Sequence, residues 1–130
     1  MNPKAIMSTY KSQDLQSSID GASSHQLIAM LLKGAMDKLA HAKHHLRQSN
    51  YAAKGECAGK AISIIEYLRA CLELGGDPSF AERLGDLYSY MEIRIFEANA
   101  RNDEQGFVEV HDLLREVKEG WSAIPAEYRG

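Results

Sequence analysis

The chain has 130 residues, one domain's worth, with 45% apolar and 25% charged residues and a formal net charge of −3. That balance argues against a generally basic nucleic-acid or acidic-membrane binder. No run of about 18 apolar residues offers a membrane span. No apolar run follows Met1-Asn2-Pro3-Lys4, so no secretory signal is expected and the reading places the chain in the cytoplasm.

Residues 1–22 come first and read as a mobile, polar leader rich in Ser and Gln. Its apolar residues include Ile6, Met7 and Tyr10, with Ile6 and Tyr10 one helical turn apart. That is enough surface to cap part of a groove, though too little to fold alone. The first helix is expected over about 24–48, opened by the capping-box pair Ser23 and Gln26. Its stripe is Ile28, Leu32, Ala35, Leu39, Ala42 and Leu46. After a turn at Ser49-Asn50, the second helix is expected over about 51–74, with Ala58, Ala61, Ile65, Leu68 and Leu72 inward. Gly75-Gly76 stops it, and Asp77 with Pro78 starts the third. That helix runs to about Asn102 on Phe80, Leu84, Leu87, Met91, Ile95 and Ala98. The fourth starts at Asp103 and runs to about Ile124 on Phe107, Val110, Leu114, Val117 and Trp121. Residues 125–130 form a tail.

Four helices of about 20 residues joined by short turns give an all-α, antiparallel up-down-up-down four-helix bundle over 23–124. Charge supports the pairing of its ends. The first helix carries a net +3 and the fourth a net −4, and the two are neighbours in such a bundle.

Little chemistry is legible. The bundle lacks the Glu-x-x-His pairs of a di-iron site. Met30 stands where a phosphotransfer histidine would precede Leu32-Lys33-Gly34. His41, His44 and His45 read as a solvated face, since no zinc-protease glutamate accompanies the His41/His45 spacing. His25 and His111 read as surface residues. Cys57 and Cys71 lie 14 residues apart on one helix, roughly 21 Å, too far for a disulfide; both read as small buried side chains. No catalytic residue, cofactor or metal is expected.

The unusual feature is surplus apolar surface. Leu27, Met30 and Leu31 widen the first stripe, Ile62, Ile64, Tyr67 and Cys71 the second, and Tyr88, Tyr90, Ile93 and Phe96 the third. Together they predict a hydrophobic groove for a partner helix, with Leu31, Ile64, Tyr88 and Ile93 lining it. Ile28, Leu39, Ile65, Leu68, Leu84, Met91 and Trp121 are expected in the core. Gly34, Gly55, Gly59 and Gly85 are expected to permit close backbone approach.

These residues resemble the flagellar export chaperone FliS family. Ser24-His25-Gln26-Leu27-Ile28-Ala29-Met30-Leu31-Leu32-Lys33-Gly34-Ala35 looks like its opening helix. Lys54-Gly55-Glu56 through Lys60-Ala61-Ile62-Ser63-Ile64-Ile65 looks like its second. Leu87-Tyr88-Ser89-Tyr90-Met91 with Arg94 is similar to its Leu-Tyr-Asp-Tyr-Met-x-x-Arg motif, and Ala98-Asn99-Ala100-Arg101-Asn102-Asp103 and Trp121 fit as well. The likeness covers about residues 5–124. Ser24 replaces the family's usual proline, and Leu32-Lys33 its aromatic-Asp pair.

The resemblance implies a cytoplasmic chaperone without catalysis that binds the disordered C-terminal segment of flagellin. It would prevent premature polymerisation and pass the cargo to the flagellar type III export apparatus. It adds Tyr90 and Arg94 to the candidate groove residues. The alternative is a non-catalytic structural or regulatory module that binds a folded partner or itself, as a homodimer.

Overall fold

The structure, a computed structural model, describes residues 23–72 and 77–124. Helices α1 (Ser24–Arg47), α2 (Tyr51–Cys71), α3 (Pro78–Arg101) and α4 (Glu104–Ser122) account for nearly all of them, with no strand among the described residues. α1 packs on α2 and α4, and α3 packs on the same two, so the four run around a square. The leader residues Ile6, Met7 and Tyr10, the Gly75-Gly76 stop and the tail lie outside the described residues.

The helix starts are written in local chemistry. Ser23 Oγ accepts from the Gln26 backbone N–H at 3.1 Å, and Gln26 Oε1 accepts from the Ser23 N–H at 2.9 Å. Asp77 accepts from Ser79 N–H with Pro78 in the first turn, and Asp103 from Gln105 N–H. Among the described residues, the turns at Ser49 (φ 57°) and Asn102 (φ 53°) place a non-glycine residue in the left-handed region. At Asn102 the conformation ends α3 and lets the Asp103 N–H reach the Ala98 carbonyl at 2.9 Å, so α4 starts at once.

The core is built from Leu32, Ala35, Leu39 and Ala42 of α1, Ala58, Ala61, Ile65 and Leu68 of α2, Met91, Ile95 and Ala98 of α3, and Phe107, Val110 and Leu114 of α4. Each is among the stripe residues expected. Ile28, Leu84 and Trp121 are only half-buried at its ends. Phe80 departs further and is half exposed.

Three groove assignments are corrected here. Leu31 (3% exposed), Ile64 (1%) and Tyr88 (2%) belong to the core. Each helix of a square bundle touches two neighbours, so its buried arc is wider than one 3-4 stripe. The flanking residues fill the seams between helices. Burial, with the nearby Cys71 as a lesser cause, pushes the Tyr88 phenol far above its ordinary range.

Among the described residues two polar side chains are also buried, His25 and Lys54. His25 was expected at the surface, yet it packs between the first turn of α1 and the last of α4. Its Nε2–H donates to the Trp121 carbonyl at 2.8 Å, and Trp121 Nε1–H donates to the His25 carbonyl at 2.8 Å. The rings stack with centroids 4.8 Å apart. Lys54 Nζ donates to the Asn99 carbonyl at 2.9 Å and to Asn102 Oδ1, closing the C-terminus of α3 with a cation. His111 is half-buried beside Asp112, and Cys57 and Cys71 are half-buried free thiols.

Of the glycines expected at close approaches, Gly55 and Gly85 have ordinary contact distances and Gly59 has nothing within 4 Å of an added Cβ. Gly106, not among the glycines expected, is a position that does need glycine. A Cβ there would lie 2.5 Å from Ala98 Cβ and 2.8 Å from Arg94 Nη1.

Candidate functional site: an apolar outer face on α3

With Leu31, Ile64 and Tyr88 inside, the groove candidates that remain accessible all lie on α3. Ile93 is 60% exposed and Tyr90 45%. Phe96, which sequence reading placed in the surplus stripe but not among the lining residues, is 68% exposed. Successive helix residues turn by about 100°. Ile93 therefore points almost opposite to the buried Met91, Ile95 and Ala98, with Phe96 on the α2 side and Tyr90 on the α4 side. An outward face is normally polar, so two large apolar side chains three residues apart mark this one as unusual.

The rim toward α2 is low. Gly55 faces Asn99 across the α2–α3 seam, and one turn on, Gly59 comes level with Phe96 and leaves open space. Ile62 lies half-buried in the next turn. Arg69 Nε pairs with Glu92 Oε2 at 2.8 Å and fixes the far end of the seam. The result is a shelf with apolar projections on one side and bare backbone beside them, a shape that admits an amphipathic helix.

The rim toward α4 is polar and tightly connected. Tyr90 donates its hydroxyl to Glu109 Oε2. Arg94 Nε donates to Glu109 Oε1 at 2.9 Å, and Arg94 Nη2 to Asp103 Oδ2 at 3.1 Å. The Tyr90 hydroxyl and then the Arg94 guanidinium hold the Glu109 carboxyl below its ordinary range, and Arg94 does the same to Asp103. The same bond to Glu109 raises the Tyr90 phenol. Glu109 and Asp103 were missed as partners of the motif, because only the packing of α4 on α3 brings them there.

Elsewhere the surface carries less. Arg47 grips Glu104 through Nε at 2.6 Å and Nη2 at 3.1 Å, which realises the charge pairing of α1 with α4. The His44 and His45 rings meet edge to face at 5.7 Å. Among the described residues no three His, Cys, Asp or Glu side chains gather as a metal site. No described helix is long and apolar enough to cross a membrane.

Comparison with known proteins finds one family and several close-length relatives. The family described as "Flagellar protein FliS" matches residues 6–128. The chain is 38% identical over 125 residues to the flagellar secretion chaperone FliS of Vibrio cholerae serotype O1, covering 96% of this chain and 92% of that one. It is 41% identical over 116 residues to the flagellar secretion chaperone FliS of Salmonella typhimurium, covering 88% and 86%. To the flagellar secretion chaperone FliSB of Pseudomonas aeruginosa it is 37% identical over 118 residues, covering 91% and 94%.

Proposed function

The chain belongs to the FliS family, and on that premise we propose that it is a cytoplasmic flagellar export chaperone whose α3 outer face binds the C-terminal segment of flagellin. The observation that carries the reading is the exposure of Ile93 and Phe96 opposite the core of an otherwise amphipathic helix. Flagellin's tail is disordered as a monomer and assembles through amphipathic helices. Laying such a helix on the shelf beside Gly59 buries its apolar face and blocks assembly with other subunits. The apolar area removed from water offsets the cost of ordering the tail. Release to the flagellar export apparatus then needs only a competing surface, and no step requires catalysis.

The leader belongs to the same proposal. Ile6, Met7 and Tyr10 would cover the shelf while it is empty. Burying two such side chains contributes roughly 1.5–3 kcal/mol each, and ordering costs about 1–2 kcal/mol per residue. The balance is near zero, so a guest that buries more surface displaces the cap. Removing residues 1–12 should then tighten flagellin binding, and unchanged affinity would count against the cap.

Calorimetry with full-length and tail-deleted flagellin tests the main reading. Full-length flagellin should bind one to one, and Ile93→Glu or Phe96→Glu should abolish binding with the melting temperature almost unchanged. Equal binding of the tail-deleted form would sink it. Elution of the free chain as a stable dimer that survives flagellin would favour self-association instead. Leu31→Glu, by contrast, should unfold the bundle, because it places a charge in the core.

A further inference from the structure

Tyr90 and Arg94 stand one turn apart on α3, and both reach the same carboxylate on α4. Arg94 also reaches Asp103, the residue that caps α4. Its guanidinium lies across Gly106, where any side chain would collide with it. The polar ends of both motif residues are therefore engaged within the bundle, while Ile93 and Phe96 between and beyond them point outward.

We propose that Glu109 is a positioning residue for partner binding, the centre of a clamp in which Tyr90 and Arg94 fix the rotation of α3 on α4 and so present Ile93 and Phe96. A helix held to its neighbour by one contact can still roll about its axis. Two anchors a turn apart on one carboxylate oppose both rolling and sliding. A third, from Arg94 to the start of α4, ties the clamp to the tight Asn102-Asp103 corner. Gly106 makes the arrangement possible by letting the first turn of α4 approach Ala98 and Arg94 closely. Tyr90 and Arg94 thus serve the guest through Glu109 and do not touch it.

The inference rests on the flagellin-binding reading, and its test separates the two. Flagellin affinity is measured for the full chain and for Glu109→Gln, Arg94→Lys, Tyr90→Phe and the Arg94→Lys/Glu109→Gln double variant, with amide exchange followed over residues 92–106 of each free protein. Glu109→Gln and Arg94→Lys should each weaken binding by roughly 3- to 10-fold, and the double variant should be no weaker than the worse single one. Exchange over 92–106 should quicken in both, with the centre of α1 unaffected. Tyr90→Phe, which deletes one hydroxyl, should show the same pattern more weakly and serves if Glu109→Gln does not fold. Wild-type affinity in Glu109→Gln alongside a loss in Arg94→Lys would make Arg94 a direct contact and overturn the clamp. Additive losses or unchanged exchange would also overturn it. Failure of the wild-type protein to bind flagellin would instead sink the functional reading.

Discussion

Two glycines in this bundle should respond to the same substitution with opposite signs. At Gly106 an alanine Cβ would sit 2.5 Å from Ala98 Cβ and 2.8 Å from Arg94 Nη1. Carbon atoms in contact normally lie about 3.5–4.0 Å apart, so at least roughly 1 Å of relief is needed. Ala98 is a methyl group on the buried face of α3 and has no other rotamer, so the helices themselves must separate. Overpacking of that kind costs about 1–3 kcal/mol. Alanine recovers at most about 1 kcal/mol of helix propensity, and less in a first turn. Gly106→Ala should therefore destabilise by roughly 1–2 kcal/mol, a fall in melting temperature of about 4–8 °C for a chain of this size. At Gly59 nothing lies within 4 Å of the added methyl, and Gly59→Ala should stabilise by about 0.4–1 kcal/mol. Urea titration and thermal melts followed by circular dichroism read both. A Gly106→Ala protein as stable as the parent would refute the close approach of α3 and α4 at this corner.

Lys54→Met keeps the apolar stem but leaves the Asn99 carbonyl without its donor, and should cost about 1–3 kcal/mol in urea titration. Trp121→Phe keeps the ring stack but loses the bond to the His25 carbonyl, a cost of about 1 kcal/mol. His25→Ala should red-shift the emission of Trp121, the single tryptophan, and an unchanged spectrum would contradict the stacked pair. Asp103, Glu104 and Glu109 all have carboxyls held below their ordinary values by hydrogen-bonded partners. Their contribution to stability is therefore complete above the unfolded-state range near pH 4 to 4.5. It should be lost as the pH falls from there through the depressed folded values. Arg47→Ala should shallow that acid limb by removing the partner of Glu104.

The helices were legible because their signals are local. Ser23 with Gln26, Asp77 with Pro78 and the Asp103 cap can each be read within four residues, and the 3-4 stripes name most of the core. The width of the buried arc cannot be read that way. Leu31, Ile64 and Tyr88 look like surplus on a single helix, and only the second neighbour of each helix gives them a seam to fill. Buried polar groups leave still less trace. His25 and Lys54 are drawn inside by partners 96 and 45 residues away. Gly106 escaped notice for a related reason, since its need for glycine comes from Ala98 and Arg94 of another helix. Ile93 stood out in sequence with Leu31, Ile64 and Tyr88, and Tyr90 and Arg94 joined them through the family motif. That Ile93 faces outward while Tyr90 and Arg94 are tied to Glu109 became visible only once α4 was in place.

The reciprocal His25–Trp121 bonds put the start of α1 and the end of α4 at one pole of the molecule. The helices accordingly form a closed circuit in space that the chain happens to interrupt there. Among the described residues, each helix keeps the same two neighbours whichever of the short turns is cut. A gene re-cut at the exposed Ser49-Asn50 turn, with the old ends joined through residues 125–130 and the leader, would keep each of the four neighbour pairs and the clasp itself. It would also move both free ends to the opposite pole, where guest sequences or labels could be attached.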